Sequence, residues 1–153
     1  ADTTEEGKRR RVRHLIRLSV RAGGVVATAL SLLTYLTQSN VLAGLTTNVA
    51  VQGAAAAIFP VVLLTQVFKG LAYPVNGILM GGLDWFYSMI VMWVANVSCV
   101  GLIRWFGRTG ALVSLEEIWW ALAAFMGTQV VLGIVRYQSK TGVWKLLREK
   151  TTT

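Results

Sequence analysis

The longest apolar run of the chain is Val49–Leu83, with the sequence VAVQGAAAAIFPVVLLTQVFKGLAYPVNGILMGGL. A spanning helix needs roughly 17–25 apolar residues, so this run is too long for one straight crossing. It contains one charge, Lys69, and both prolines of the chain, Pro60 and Pro74. Prolines are tolerated in transmembrane helices at kinks. We therefore predict one long, proline-kinked helix, with a helix followed by a re-entrant turn as the alternative.

The composition indicates that this run and three others lie in a membrane. The chain has 153 residues, of which 54% are hydrophobic and 14% charged, and its mean hydropathy is +0.56. Charged residues make up about a quarter of a typical soluble domain, so this chain has too few to cover a water-soluble surface. We predict an all-α integral membrane bundle of about four transmembrane helices within residues 15–137, with spans at 15–36, 49–83, 86–106 and 118–137.

The segments outside the spans are polar or basic. We predict a basic N-terminal segment at 1–14, a loop at 37–48 and a basic interfacial tail at 138–153, in which residues 143–147 suit a short helix at the membrane surface. The chain starts at Ala1 without a Met or an apolar leader, which predicts a processed or truncated form. The single cysteine, Cys99, excludes an internal disulfide and a zinc site built on two cysteines, and no metal site is predicted.

The basic residues predict the orientation. Of the 15 lysines and arginines, 12 lie in residues 8–21 or 136–150, before or at the start of the first span and at or after the end of the fourth. With four spans, both termini lie on one side of the membrane. The positive-inside rule assigns that side to the cytoplasm, or to the stroma or matrix of an organelle. The chloroplast thylakoid membrane, whose outer side faces the stroma, is one membrane that fits this orientation.

Four of these arginines follow one another at steps of four residues: Arg9, Arg13, Arg17 and Arg21. Residues with this spacing share one face of a helix, so they form a basic face on the helix that enters the membrane. The simpler interpretation is contact with anionic lipid headgroups. The alternative is a docking face for an acidic partner. Because topology and lipids already explain the basic run, no nucleic-acid partner is expected.

A polar stripe runs along the second span. Its residues follow spacings of three and four: Gln66, Lys69, Tyr73, Asn76, Met80 and Asp84. Polar groups inside a membrane are costly and usually face protein or a water-filled cavity. One interpretation is a cavity-facing path for a substrate or ion. The other is a set of interhelical hydrogen bonds, with Lys69 reaching the interface or pairing with a neighbouring subunit.

Other residues predict helix packing and membrane boundaries. Small residues four apart let helix backbones approach closely, and two such pairs are Gly77 with Gly81 and Ala123 with Gly127. Interhelical hydrogen bonds are expected from Asn96, Ser98 and Gln129. Tryptophans near span ends are typical of an aromatic belt: Trp85, Trp105, Trp119, Trp120 and Trp144. Only Trp93 is predicted to lie deep in the membrane.

His14 is the only histidine and lies among arginines at a membrane edge. Imidazole is a good axial ligand, so His14 is a candidate ligand for the magnesium of a chlorophyll or for a haem iron; the alternative is a solvated side chain. The residues establish no cofactor, although chlorophyll, carotenoid or lipid would fit a membrane bundle. The sequence has no phosphate-binding glycine loop and no catalytic Ser/His/Asp or Cys/His set. We therefore predict that the chain is not an enzyme.

The segment from Phe59 to Asp84 resembles the tenth transmembrane helix of MATE (multidrug and toxic compound extrusion) transporters. In that family a proline-containing helix ends in a pattern close to DG-hydrophobic-L-x-G-x-G-D. The matching residues here are Gly77, Leu79, Gly81 and Asp84, whereas Asn76 replaces the first acidic residue and Leu83 the last glycine. The resemblance implies that roughly Lys8 to Leu147 correspond to the last four helices of a twelve-helix transporter, with plastid members the most similar.

The departures from the family pattern set the functional expectations. MATE transport uses two six-helix lobes around a central cavity, and four helices alone are not expected to perform alternating access. Asn76 also removes a titratable group. Our first hypothesis is therefore a non-catalytic accessory or structural subunit of a larger membrane complex, for example a photosynthetic one, with other membrane-protein subunits as partners. The alternative is a MATE-like transporter half or fragment that exports organic compounds by ion antiport.

Overall fold

The computed structural model describes residues 5–109, 113–139 and 141–146, and these form helices and short connections. The helices are α1 (Glu5–Leu36), α2 (Gln38–Leu45), α3 (Val49–Gly81), α4 (Trp85–Phe106), α5 (Leu115–Gln138) and α6 (Val143–Leu146), with a 3-10 turn at Gly107–Thr109. Four of them, α1, α3, α4 and α5, are long and apolar enough to cross a membrane. The predicted all-α fold with four membrane-spanning helices is confirmed within the described residues.

Helix α3 is a single helix of 33 residues that contains both Pro60 and Pro74. The structure therefore has one long helix here and no re-entrant turn. The helix begins after Asn48, whose side-chain oxygen accepts hydrogen bonds from the backbone N–H groups of Ala50 (3.0 Å) and Val51 (3.4 Å). These bonds satisfy two of the donors that every helix leaves free at its start.

The spanning helices pack in the order α1, α3, α5, α4 as an open row. Helix α3 contacts α1 on one side and α5 on the other, and α4 packs mainly on α5. The buried apolar residues accordingly lie mostly on α3, α4 and α5, and include Val75, Leu79, Val91, Ala95, Ala121 and Val130. Helix α1 buries only Gly7 and Ser31 among the described residues. Most of the surface of α1 is therefore open to lipid or to further protein.

Close backbone contacts occur at glycines other than the predicted pairs. A Cβ on Gly23 would collide with the carbonyl oxygen of Gly70, and a Cβ on Gly70 would collide with the Ala27 side chain. By contrast, a Cβ on Gly77, and likewise on Gly81 or Gly127, would meet nothing within 4 Å. The prediction of close packing at Gly77 and Gly81 was wrong, because their face of α3 is not covered by another described helix.

The prediction of a loop at 37–48 also needs correction. The segment 37–48 is not all loop, because α2 occupies Gln38–Leu45. The backbone hydrogen bonds Thr37 N–H to Leu33 O (3.1 Å) and Val41 N–H to Thr37 O (3.0 Å) continue the helical pattern almost without a break. The apolar Leu42 is buried, so α2 packs back onto the bundle and does not extend into water.

The expected interhelical hydrogen bonds of Asn96 and Ser98 are not formed. Asn96 donates to the Met92 carbonyl (2.9 Å) and Ser98 to the Val94 carbonyl (2.9 Å), both within α4. Back-bonding of this kind satisfies a polar side chain where no neighbouring helix offers a partner. The division of the chain into segments 1–14, 15–137 and 138–153 stays a prediction.

We predict that Gly70→Leu destabilises the bundle by about 1–3 kcal/mol, the usual cost of overpacking, because the new side chain would separate α1 from α3. The matched control is Gly77→Leu, which adds the same side chain to the same helix in open space. Thermal unfolding in detergent, followed by far-UV circular dichroism, measures the difference. Equal destabilisation by both substitutions would contradict the close α1–α3 contact.

Candidate functional site

A groove lies between α1 and α3 and has a volume of about 910 Å³. Helix α3 contributes the first three residues of the predicted stripe to its wall: Gln66, Lys69 and Tyr73. Helix α1 adds Ser31 and Thr34, and α2 adds Val41. The structure therefore brings half of the predicted polar stripe to one membrane-facing groove.

Lys69 is the charged residue of this groove. It lies near the middle of α3, is half-buried, and has no hydrogen bond or ion pair within the described part of the chain. None of the residues that line the groove is acidic. An amine at membrane depth is costly and is usually retained for a functional reason. The neighbouring Tyr73 is 67% exposed, so its ring lies on the same open face.

The next stripe residue, Asn76, contacts α5 instead of lining the groove. Its side-chain N–H donates to the Gln129 side-chain oxygen at 2.6 Å, and Gln129 is only 3% exposed. The predicted interhelical hydrogen bond of Gln129 is therefore present. The Asn76 side-chain oxygen is buried without a hydrogen-bond partner in the described residues. Such an acceptor is unsatisfied, and its desolvation is unfavourable.

The last stripe residue, Asp84, lies in the turn between α3 and α4 and forms a cluster with residues from α5 and the tail. Arg136 donates from Nε to Oδ2 at 2.6 Å and from Nη2 to Oδ1 at 3.2 Å. Trp144 donates its indole N–H to Oδ2 at 3.0 Å. The Arg136 hydrogen bonds are the main reason that the pKa of the Asp84 carboxyl is lowered; Trp144 adds to this, whereas burial opposes it. The carboxylate is therefore held in its charged form.

Aromatic contacts surround this cluster, which we call the Asp84 cluster. The Arg136 guanidinium lies 4.7 Å from the centre of the Tyr87 ring, and the Tyr87 hydroxyl donates to the Leu132 carbonyl at 3.1 Å. The rings of Tyr137 and Trp144 meet edge to face at 5.7 Å. The cluster therefore connects the start of α4, the end of α5 and the tail at one end of the bundle.

The tail docks on the bundle through Trp144, which is only 3% exposed. Trp144 was predicted to belong to the aromatic belt near the span ends; its ring is buried against the bundle, and its level relative to the membrane stays a prediction. A Cβ on Gly82 would lie 2.8 Å from the Trp144 ring, so glycine there permits the contact. The chain reaches this position through Gly142, which has a positive φ of 60°. Of the predicted interfacial tail, Lys140 and residues 147–153 lie outside the described residues.

Helix α3 ends in a Schellman motif with leucine at the position that favours glycine. The Asp84 N–H donates to the Leu79 carbonyl (3.1 Å) and the Leu83 N–H to the Met80 carbonyl (3.0 Å). Leu83 has a φ of 56°, in the left-handed region. Leu83 is one of the two positions at which the sequence departs from the pattern that it resembles, in which a glycine stands.

The other predicted site residues lie on α1. His14 is exposed, with Arg10 and Arg11 beside it. Arg9 and Arg13 are half-buried, whereas Arg17 and Arg21 are exposed and line a second groove, towards α5. The described residues contain no group of three or more His, Cys, Asp or Glu side chains that could hold a metal ion. The roles proposed for these residues stay predictions.

Sequence reasoning missed Arg136 and Trp144 as partners of Asp84. They lie 52 and 60 residues from Asp84 along the chain, so no local spacing relates them. One signal was available. Asp84 is the only acidic residue of the predicted spans and their short connection 84–85, and a carboxylate so close to the membrane needs a cationic partner. Arg136 follows from the helix order, because α5 ends at the same side as α3.

We predict that Leu83→Gly raises the free energy of unfolding by about 1 kcal/mol, because glycine removes the steric cost of the left-handed conformation. Leu45→Gly serves as the control, since it removes another exposed leucine at the end of a helix without positive φ. Chemical unfolding in detergent measures both. A Leu83→Gly variant less stable than the parent protein would contradict the assigned conformation.

We predict that Asp84→Asn releases the tail and costs about 1.5–3 kcal/mol, the range for hydrogen bonds to charged groups. Limited proteolysis after residue 138 and a red shift of tryptophan fluorescence would report the release. The matched control is Glu116→Gln, because Glu116 accepts a weak hydrogen bond (3.4 Å) from the exposed Trp120. A tail that stays protected in Asp84→Asn would show that Asp84 does not hold it.

Comparison with known proteins finds a similarity to Protein DETOXIFICATION 43 of Arabidopsis thaliana, which is 27% identical over 94 residues. The match covers 61% of this chain but 17% of that relative, so the chain spans only a small part of its length. No family model matches the chain. No solved structure matches it. The similarity supports a MATE-like relation for this membrane protein; the plastid type and a C-terminal position within the family stay predictions.

Proposed function

We propose that this chain is part of a MATE-like membrane transporter that exports organic compounds by ion antiport. The observation that carries the proposal is the groove with Lys69: a half-buried amine near the middle of a spanning helix, without a partner in the described residues. The similarity to a DETOXIFICATION protein supports the same conclusion. Intramembrane ionisable residues commonly mark substrate or ion pathways.

The open row is compatible with such a role if further helices complete it. Alternating access requires one group of helices to rock against another around a central site. The face of α3 that carries Gln66, Lys69 and Tyr73 is not covered by another described helix. We infer that further helices, from the same protein or from a separate chain, lie against this face. The groove would then become an enclosed cavity between two groups of helices.

Within this proposal, the polar residues of α3 divide into two roles. Lys69 supplies a positive charge to the cavity wall, where an anionic group of a substrate or an acidic residue of the opposing helices would be attracted to it. Asn76 and Gln129 hold α3 against α5, so that both helices move as one body. At one end of the bundle, the Asp84 cluster likewise holds the turn between α3 and α4 against the end of α5 and the tail. The proposal assigns the chain no enzymatic step.

The hypothesis of a non-catalytic accessory subunit, with a place in a photosynthetic complex and bound pigment, has no observation in its favour. His14 lies exposed on α1, and the comparison names a DETOXIFICATION protein. The two functions predict different results. A transporter shows gradient-dependent flux that depends on Lys69, whereas an accessory subunit comigrates with a large complex in mild detergent and shows no flux.

The test reconstitutes the full-length protein or assembly that contains the chain into liposomes. The probes are ethidium, an organic cation, and carboxyfluorescein, an organic anion, with flux measured under an imposed pH or sodium gradient. We predict that Lys69→Gln lowers the flux by tenfold or more, because a charge-assisted contact is worth about 1.5–3 kcal/mol. Lys69→Arg is expected to retain most of it.

The matched control is Arg104→Gln, which removes one exposed positive charge from α4, away from the groove. It should leave the flux within twofold of the parent protein. Flux that is unchanged in Lys69→Gln would remove the main support for the proposed cavity. Gradient-independent leakage of both probes would contradict antiport.

A further inference from the structure

A second groove lies between α1 and α5, on the other face of α3 from Lys69. Its volume is about 250 Å³, and α3 forms its floor with Val75 and Ile78. Helix α5 supplies Ile134 to one wall, and helix α1 supplies Arg17 and Arg21 to the other. The groove is therefore apolar inside and strongly basic along one edge. None of its lining residues is acidic.

The two arginines lie inside the length of the bundle. Helices α1 and α3 run antiparallel, with Gly23 opposite Gly70 and Pro74, so Arg21 lies near the level of Pro74 and Arg17 near that of Ile78. At a rise of about 1.5 Å per residue, Arg21 is roughly 10 Å inside the end of α3 at Gly81. Charges at this depth are costly unless an anion meets them or their side chains reach the surface.

No anionic side chain of the described bundle is available to meet these arginines. Asp84, at the same end, is already bonded to Arg136 and Trp144. Glu5, which is paired with Lys8 at 2.9 Å, and Glu6 lie about three turns before Arg17 on the same helix, too far away to reach it. Both arginines are exposed, and neither has a hydrogen bond or ion pair within the described residues. Any anion that meets them therefore comes from outside the described part of the chain.

We propose that the groove binds one anionic phospholipid, with its phosphate between Arg17 and Arg21 and one acyl chain along Val75, Ile78 and Ile134. Charge complementarity selects an anionic headgroup, and the apolar floor selects a molecule with a hydrocarbon tail. Basic pockets between transmembrane helices bind anionic headgroups in this way. A zwitterionic lipid offers the same tail without net charge and binds more weakly. The site does not depend on the proposed transport function.

The test measures lipid retention by native mass spectrometry of the complete chain in detergent, with phosphatidylglycerol and phosphatidylcholine of identical acyl chains as probes. We expect one phosphatidylglycerol to be retained in preference to phosphatidylcholine. The double variant Arg17→Gln/Arg21→Gln should weaken this binding by about thirtyfold, since each basic residue near an anionic lipid is worth about fivefold. The control Arg104→Gln/Arg108→Gln removes equal charge from the opposite end of the bundle and should leave retention unchanged.

A second pair of variants tests the acyl-chain position separately from charge. Ile134→Trp fills the groove and should abolish preferential retention while both arginines remain, whereas Val135→Trp, at an adjacent exposed position outside the groove, should not. Retention that is equal in Ile134→Trp and Val135→Trp would overturn the proposal, as would equal loss in both arginine pairs. Displacement of the lipid by millimolar glycerol phosphate would overturn the proposal, because the groove would then be a site for free anions.

Discussion

Helices in a bilayer gain little from burying apolar side chains against one another, because lipid tails are equally apolar. Close backbone contact must then supply much of the attraction. In this protein the contact is made where Gly23 and Gly70 allow α1 to meet α3, and where Gly133 receives the Val75 side chain from α3. Both contacts place α3 at the centre of the row, so the position of every polar group on α3 depends on them.

This central position explains how the polar residues of α3 are distributed. Helix α3 is covered mainly by α1 and α5, with smaller contacts to α2 and α4, and part of its surface stays exposed in the described structure. Asn76, at the border of the α5 face, finds Gln129. Gln66 and Lys69 lie on an open face and find no protein partner among the described residues. The charge of Asp84 is therefore neutralised at one end of the bundle, where the ion pair with Arg136 stabilises the fold. The charge of Lys69 stays unpaired in an open groove, where it is available to bind an anion.

The sequence predicted the number and type of helices because apolar run length is a strong local signal in membrane proteins. It also predicted that Lys69 and Asp84 belong to a polar stripe on the second span. It did not predict where the stripe divides, because helical spacing defines a face but does not say which neighbour covers that face. The contact of Asp84 with Trp144 depends on a chain reversal at Gly142. Such a contact has no local signature, and neither does the helix α2, which begins with the polar residues Gln38, Ser39 and Asn40 that are typical of a loop.

The glycines also show that spacing within one helix does not predict which neighbouring helix is present. Gly77 and Gly81 satisfy the spacing of a packing motif, yet they face open space, whereas Gly23 and Gly70, which do make the contact, are on different helices. The spacing of small residues within one helix shows that one of its faces could be approached closely. Whether a partner is present there depends on the row as a whole, and the open faces at Gly77 and Gly81 are consistent with additional helices in a larger protein.

Helix α1 is 32 residues long without a break, or about 48 Å, whereas the hydrocarbon core of a bilayer is about 30 Å thick. Because α1 runs antiparallel to α3 with Gly23 beside Gly70, its first turns lie beyond the end of α3 at Gly81 and carry the arginine-rich segment. A small tilt of the spanning part would displace that projecting end by several ångströms relative to the membrane surface. Because α1 borders both grooves, a tilt of α1 relative to α3 would change the widths of both grooves together.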